Sequence, residues 1–318
     1  MYRIDDATAA TSLPVPEAAG TEGYFTEGNP ATSTPATKVR GSWLNMIQEE
    51  LCAILAAAGI SRSKTSYNQV NLALQKMYAP VAGTMRNASM SVTTASATAT
   101  FAADEIVVAT ALGGQTFKLA NFNKTINLAT TGAGGMDAGS APASGYVALY
   151  AIYNPTTGAS ALLATTEGAS AAPNIYGGGN MPAGYTASAL VSAWRTNSSG
   201  QLVVGIQLDR TIYPNITSVL STSTGQASPT ALSIAGAVPK CAKAANINAN
   251  SSGTTSGALF FNTYLNSAGA GQQSFATTST GVTGQLLTPI TVPQTIYWAG
   301  GGGGGTITIT ALVSSYSF

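Results

Sequence analysis

The sequence predicts a mainly β protein: an N-terminal extended anchor and a short helical hairpin, followed by antiparallel β-sandwich-like domains. Three observations lead there. Short aliphatic runs such as Tyr146-Val147-Ala148-Leu149-Tyr150-Ala151-Ile152 are bounded by Gly, Asn and Pro, the punctuation of antiparallel strands. Only 8% of the 318 residues are charged, about a third of the ~25% usual in globular chains. The polar remainder is rich in Gly, Ser, Thr and Asn, which suits a neutral β surface. Disorder would require low hydrophobicity with high net charge, and the net charge is +1.

Charge divides the chain into three regions. Residues 1–79 hold six basic and seven acidic residues, 80–214 hold five of each, and 215–318 hold only Lys240 and Lys243. Residues 1–41 contain Pro14, Pro16, Pro30 and Pro35 and read as extended chain, ordered only against a partner. Residues 42–80 read as two helices. Ser42 is the expected N-cap, and Leu44, Ile47, Leu51, Ile54 and Leu55 form one apolar stripe at three- and four-residue spacing. Gly59 ends that helix. The second runs from Tyr67 to Tyr78, with Val70, Leu74 and Met77 on one face, until Pro80 stops it. Two such short helices cannot bury their stripes alone, so the five stripe residues are assigned to oligomerisation.

Residues 81–214 are expected to form one sandwich of seven strands, at Glu105–Ala109, Gln115–Leu119, Lys124–Leu128, Tyr146–Tyr153, Ala161–Thr165, Ala187–Arg195 and Leu202–Leu208. Residues 215–318 are expected to form a separate distal β domain. It opens with a linker at Ser221–Thr230 and continues with strands at Ala231–Val238, Ala258–Tyr264, Gly284–Thr291, Thr295–Trp298 and Thr306–Val313. The Thr306-Ile307-Thr308-Ile309-Thr310 alternation marks a half-buried strand.

The chemistry is bounded mostly by what is missing. There is no histidine, which removes Ser-His-Asp and Cys-His catalysis and the usual zinc ligand sets. Cys52 and Cys241 read as two buried, reduced thiols. Asp5-Asp6, Glu49-Glu50 and Asp104-Glu105 are sequence neighbours, and Asp137, Glu167 and Asp209 stand alone. None makes the separated pair that glycan cleavage needs without help from the fold. No catalytic residue, metal or cofactor is expected. Near-zero net charge gives no field for nucleic acid or anionic lipid. The apolar run Leu51 to Ile60 is too short to span a bilayer, and the N-terminus lacks the apolar core of a signal peptide.

The candidate recognition site lies near the C-terminus. Gly300, Gly301, Gly302, Gly303, Gly304 and Gly305 form a six-glycine run beside Trp298. Either the loop offers its backbone to a ligand, or chains crowd there and only glycine fits. Trp298, unshielded beside the glycines, is expected to be the exposed contact, with Tyr297 facing the core. A site there would work by stacking and neutral hydrogen bonds.

A resemblance enters at the N-terminus. Met1-Tyr2-Arg3-Ile4-Asp5-Asp6 leads through Gly23-Tyr24-Phe25-Thr26-Glu27-Gly28-Asn29-Pro30 to Trp43-Leu44-Asn45-Met46-Ile47-Gln48-Glu49-Glu50-Leu51 and Ala57-Ala58-Gly59-Ile60. This resembles the attachment region of tail fibre and tail spike proteins of tailed bacteriophages. Lys124 to Asp137 looks like a fibre shaft domain. The resemblance implies an elongated homotrimer in the virion, fixed to tail or baseplate proteins by its N-termini, with Tyr24, Phe25 and Trp43 as attachment residues. It also implies a distal end that meets a host cell-surface glycan or protein receptor. Two other readings are a spike that cleaves polysaccharide and a bacterial surface adhesin. The usual β-helix of a spike needs more residues than 81–318 supply, and a secretion signal for an adhesin is not seen.

Overall fold

The computed structural model describes residues 2–78, 80–254 and 257–318. Met1, at the head of the opening motif, and Ala79, at the end of the helical region, lie outside them. The chain divides into two compact units, Met1–Ala79 and Pro80–Phe318.

The first unit is extended chain clipped to a helix. Helix α1 spans Gly41–Ala57, one turn's edge earlier than expected. Arg40 is its N-cap, without a side-chain capping bond, so Ser42 falls inside the first turn. Its C-terminus follows the glycine rule. Gly59 takes φ +63°, its N–H donates to Ala56 O, and the Ile60 N–H donates to Leu55 O at 2.9 Å. Ile60 then packs back on Leu55, completing a Schellman cap. Helix α2 spans Gln69–Met77. Its buried residues are Gln69 and Ala73, while Leu74 and Met77, expected on the inner face, are exposed. The small core consists of Leu55, Ala58 and Ala73, with Ile54, Ile60 and Val70 around it. Arg3 forks onto Glu49 at 2.6 and 2.5 Å, Ile4 N donates to Gln48 Oε1, and Lys64 pairs with Asp5 at 2.6 Å. The extended segment is therefore tied down by polar clips at its start and is exposed along most of its length.

The second unit is built of antiparallel strands in two sheets. The proximal strands are β1 (Met85–Arg86), β2 (Ser89–Val92), β3 (Thr98–Ala109), β4 (Thr116–Asn127), β5 (Tyr146–Tyr153), β6 (Ser160–Thr166), β7 (Ala187–Arg195), β8 (Gly205–Leu208) and β9 (Thr211–Pro214). The distal strands are β10 (Thr217–Thr222), β11 (Gln226–Ser233), β12 (Ala244–Gly253), β13 (Leu259–Tyr264), β14 (Gln273–Thr277), β15 (Gly281–Pro289), β16 (Thr295–Gly301) and β17 (Ile307–Ser317). Thirteen of them form one sheet in the order β15-β12-β17-β9-β8-β2-β3-β7-β5-β6, with β1 and β4 on β3 and β10 on β17. The other four run β11-β16-β13-β14.

Several expectations meet their outcome here. β5 and β7 have the expected bounds. Both are buried on both faces, which is why they read as unbroken apolar runs. The two strands expected at Gln115–Leu119 and Lys124–Leu128 are one strand, β4, because Asn121 passes through φ +51° without a shift in its pairing with β3. Asn tolerates that conformation better than most residues. The linker expected at Ser221–Thr230 is largely strand, divided between β10 and β11. Pro229 is admitted because β11 is an edge strand.

The boundary expected at 214 is not a break between compact units. β17, far along the chain, pairs with β9 and β10 as well as β12. The Tyr316 hydroxyl donates to Ala193 O at 2.8 Å from a fully buried position. One continuous cluster of buried side chains runs from Ala88 to Phe318. A fragment of 81–214 therefore leaves β9 without its β17 neighbour and the Ala193 carbonyl without the Tyr316 hydroxyl. It should fail to melt cooperatively by near-UV circular dichroism, whereas 80–318 should give one transition; two independent transitions in 80–318 would restore the separate domains.

Candidate functional site

The expected recognition strand is β16, and its faces are the reverse of those anticipated. Trp298 is 4% exposed. Its ring stacks on Phe261 at 5.8 Å, and Phe275 stacks on the other side of Phe261, also at 5.8 Å. Tyr297 is half-buried. The assignment of Trp298 as the exposed contact is therefore corrected. The glycines do not leave it bare, because β13 brings Phe261 to cover it.

The glycine run divides at the end of the strand. Gly300 and Gly301 are buried within β16, Gly302 is half-buried, and Gly303, Gly304 and Gly305 are exposed. Crowding explains much of it. A side chain on Gly300 would meet Phe260 O and Ile309 Cδ1 at 3.2 Å, and one on Gly257 would meet Gly303 Cα at 3.0 Å. Gly305 sits at φ +78°, where a Cβ would strike Thr254 O, and a Cβ on Gly253 would strike Thr306 O. Two backbones thus pass each other without side chains between them. Within the one chain the run is thus a place of close backbone approach, and beyond it Gly303, Gly304 and Gly305 leave their backbone exposed.

In the first unit the predicted residues fall into two groups. Phe25 packs edge-on against Trp43 at 4.9 Å, so two of the three attachment residues meet, while Tyr24 beside them is 98% exposed. The motif after Tyr24 closes a loop. Asn29 and Thr34 exchange backbone hydrogen bonds at 2.8 and 3.0 Å, Thr37 N donates to Thr26 O, and Gly28 takes φ +72°. Of the stripe, Leu44 and Ile47 are exposed and Leu51 and Ile54 half-buried. Leu55 is fully buried against Ala73, so it is corrected from an interchain contact to an intrachain one. Trp43 and Met46 also line a groove of about 650 Å³ with Leu13, Pro16 and Arg40.

The isolated carboxylates are each occupied. Asp137 accepts from the Tyr176 hydroxyl and from Ala138 N. Asp209 accepts from Ala88 N at 2.9 Å. Glu167 Oε1 accepts from Lys240 N at 2.7 Å and Cys241 N at 3.3 Å, and the Lys240 ammonium donates to Gly168 O. Burial pushes the Glu167 carboxyl above its usual range, and the two backbone donors only partly offset it. Both cysteines are buried and unpaired, and burial pushes the Cys241 thiol up to about 12. Among the described residues no three His, Cys, Asp or Glu side chains are grouped to hold a metal, and no helix is long and apolar enough to cross a membrane.

Sequence reasoning gave no role to Arg210. It occupies the two-residue turn between β8 and β9. Its Nε donates to Phe318 O at 2.7 Å and its Nη1 to Gly83 O and Leu190 O, with the guanidinium 4.5 Å over the Phe318 ring. Among the described residues no Asp or Glu side chain pairs with it, and burial lowers its pKa. An Asp-Arg pair at a turn looks like an ordinary solvated corner, so no local signal marks it.

Two stability tests follow. Trp298→Ala removes one end of a three-ring stack and should cost roughly 3–5 kcal/mol in urea unfolding; a fully stable variant would return Trp298 to the surface. Glu167→Gln keeps the acceptor for Lys240 N but has no proton to lose. A carboxyl whose folded pKa is raised contributes stability below its unfolded pKa, and that stability is lost as pH rises through the folded pKa. Thermal melts should therefore show the variant more stable than the parent at pH 7, with the two converging below pH ~4.

No protein-family model matches the chain. Over 77 residues, 24% of its length, it is 42% identical to the "uncharacterized protein StfP" of Escherichia coli strain K12, and that match spans 35% of the relative. Among solved structures, the insecticidal delta-endotoxin Cry8Ea1 of Bacillus thuringiensis is matched over 73% of this chain and 52% of that one. The identity is 8% and the TM-score 0.22, too low for an inference about fold.

Proposed function

We propose that the chain is a structural virion protein, a trimeric tail fibre of a tailed bacteriophage that docks to tail or baseplate proteins through its N-terminal unit. In this reading its β unit, sandwich-like in the assembled trimer, meets a host surface glycan or protein through its distal part. The observation that carries the proposal is the imbalance of the first unit. Three buried residues form its core, while fifteen large hydrophobic side chains are exposed, Tyr24, Trp43, Leu44, Met46 and Ile47 among them. Isolated surface hydrophobes need no explanation, but a small unit that exposes so many does. The opening motif that resembles phage attachment regions covers this same unit. The near-absence of charge in 215–318 supports recognition by neutral contacts at the distal end.

Leu44→Asp with Ile47→Asp places two carboxylates on the exposed stripe, where burial between chains would cost several kcal/mol. Sedimentation of the full chain should show the oligomer of the parent weakened or lost. Fibreless particles should fail to take up the variant. An unchanged oligomer and normal uptake would remove the stripe from both roles.

A further inference from the structure

Strand β8 is built inside out. In Gly205-Ile206-Gln207-Leu208 alternation would send Ile206 and Leu208 inward. Instead Gln207 is fully buried, and Ile206 and Leu208 are 50% and 55% exposed. The Gln207 amide donates to Val191 O and Asp209 O at 2.7 Å, but its Oε1 is buried without a partner. The strand thus carries two costs together, a buried unpaired acceptor and a bare apolar face. Register makes that face continuous. Ile206 lies opposite Tyr213, 46% exposed, on one side and Ser91 on the other, while Leu208 lies between Thr211 and Ser89.

We infer that this face is where a second copy of the chain packs, so that β2, β8 and β9 form a contact between protomers within the β unit. This rests on the homo-oligomer proposed above and adds to it a surface outside the helices. Charge identifies the occupant. The six outward residues carry no formal charge, so a charged partner would lose water there without gaining a counter-charge. A second copy brings the same uncharged face, and copies with net charge +1 meet with little repulsion. The small Ser89 and Ser91 flank the apolar side chains and allow close approach. The same contact supplies the burial that the alternation of β8 withholds within one chain.

The test uses the full-length chain with single cysteines at Ile206→Cys and, as a loop control, Leu112→Cys; the native cysteines are buried. A face covered in ~90% of molecules should react with maleimide about tenfold more slowly than the control. A second variant, Ile206→Lys with Tyr213→Lys, keeps both sites solvated in a single chain. It should lower the melting temperature of the oligomer and restore labelling of a cysteine at 208 (Leu208→Cys). If sedimentation shows the parent to be monomeric, both this surface and the homo-oligomer fall. If the parent is oligomeric but Ile206→Cys labels as fast as the control, the oligomer stands and this surface is overturned. An unchanged melting temperature in the double-lysine variant overturns it as well.

Discussion

The pairing of β17 is the interaction on which the β unit depends. This one strand runs along the whole of β12, takes β10 on its opposite side, and reaches β9 at its end. The Tyr316 hydroxyl then crosses to β7, and Phe318 seats under Arg210, whose guanidinium also holds Gly83 O and Leu190 O. Strands drawn from both ends of the unit are thereby joined through main-chain hydrogen bonds rather than through a hinge. Removing β17 would leave three strands with open edges and the Ala193 carbonyl without the Tyr316 hydroxyl.

A second theme is how the unit holds together with few large side chains and almost no ions. β12 shows the device most clearly. Ala245, Ile247 and Ala249 face inward, and the asparagines between them face outward. Asn246 donates to Ser315 on β17 at 3.0 Å, and Asn250 donates to Thr283 on β15 at 2.8 Å, each directly across the ladder. Amide–hydroxyl pairs take the place of cross-strand apolar or ionic contacts. Small inward residues let the backbones approach, as the glycines of residues 253–257 and 300–305 also do. The three ion pairs among the described residues all lie in the first unit, on side chains that are exposed except for the half-buried Glu49.

The fold class and the strongest strands were legible because burial on both faces writes itself as an unbroken apolar run, as in β5 and β7. The helix end at Gly59 was legible because only one conformation suits that cap. What escaped has a common cause. β12 alternates with period two, but its polar partners are asparagines, which disfavour strands on propensity, so it reads as loop. β10 and β11 read as linker because Ser and Thr serve edges and linkers equally. The placement of Trp298 failed since the ring that covers it, Phe261, comes from β13, remote in sequence. Arg210 and the inverted Gln207 depend wholly on long-range partners, and no window of sequence contains those.

The chain order of β17 has a consequence for synthesis. Gly253 and Ile307 are neighbours in the sheet but stand 307 − 253 = 54 residues apart in the chain. At ~5–20 residues per second, roughly 3–11 s pass between the emergence of one strand and that of its partner. A hairpin closes in microseconds, so the nascent sheet waits with unsatisfied edges for a time that is very long on the scale of collapse. The Asn, Ser and Thr side chains of β10 and β12 make them tolerable in that interval, because their bare edges stay hydrated. A more hydrophobic β12 would gain burial in the finished sheet and give up solubility on the ribosome.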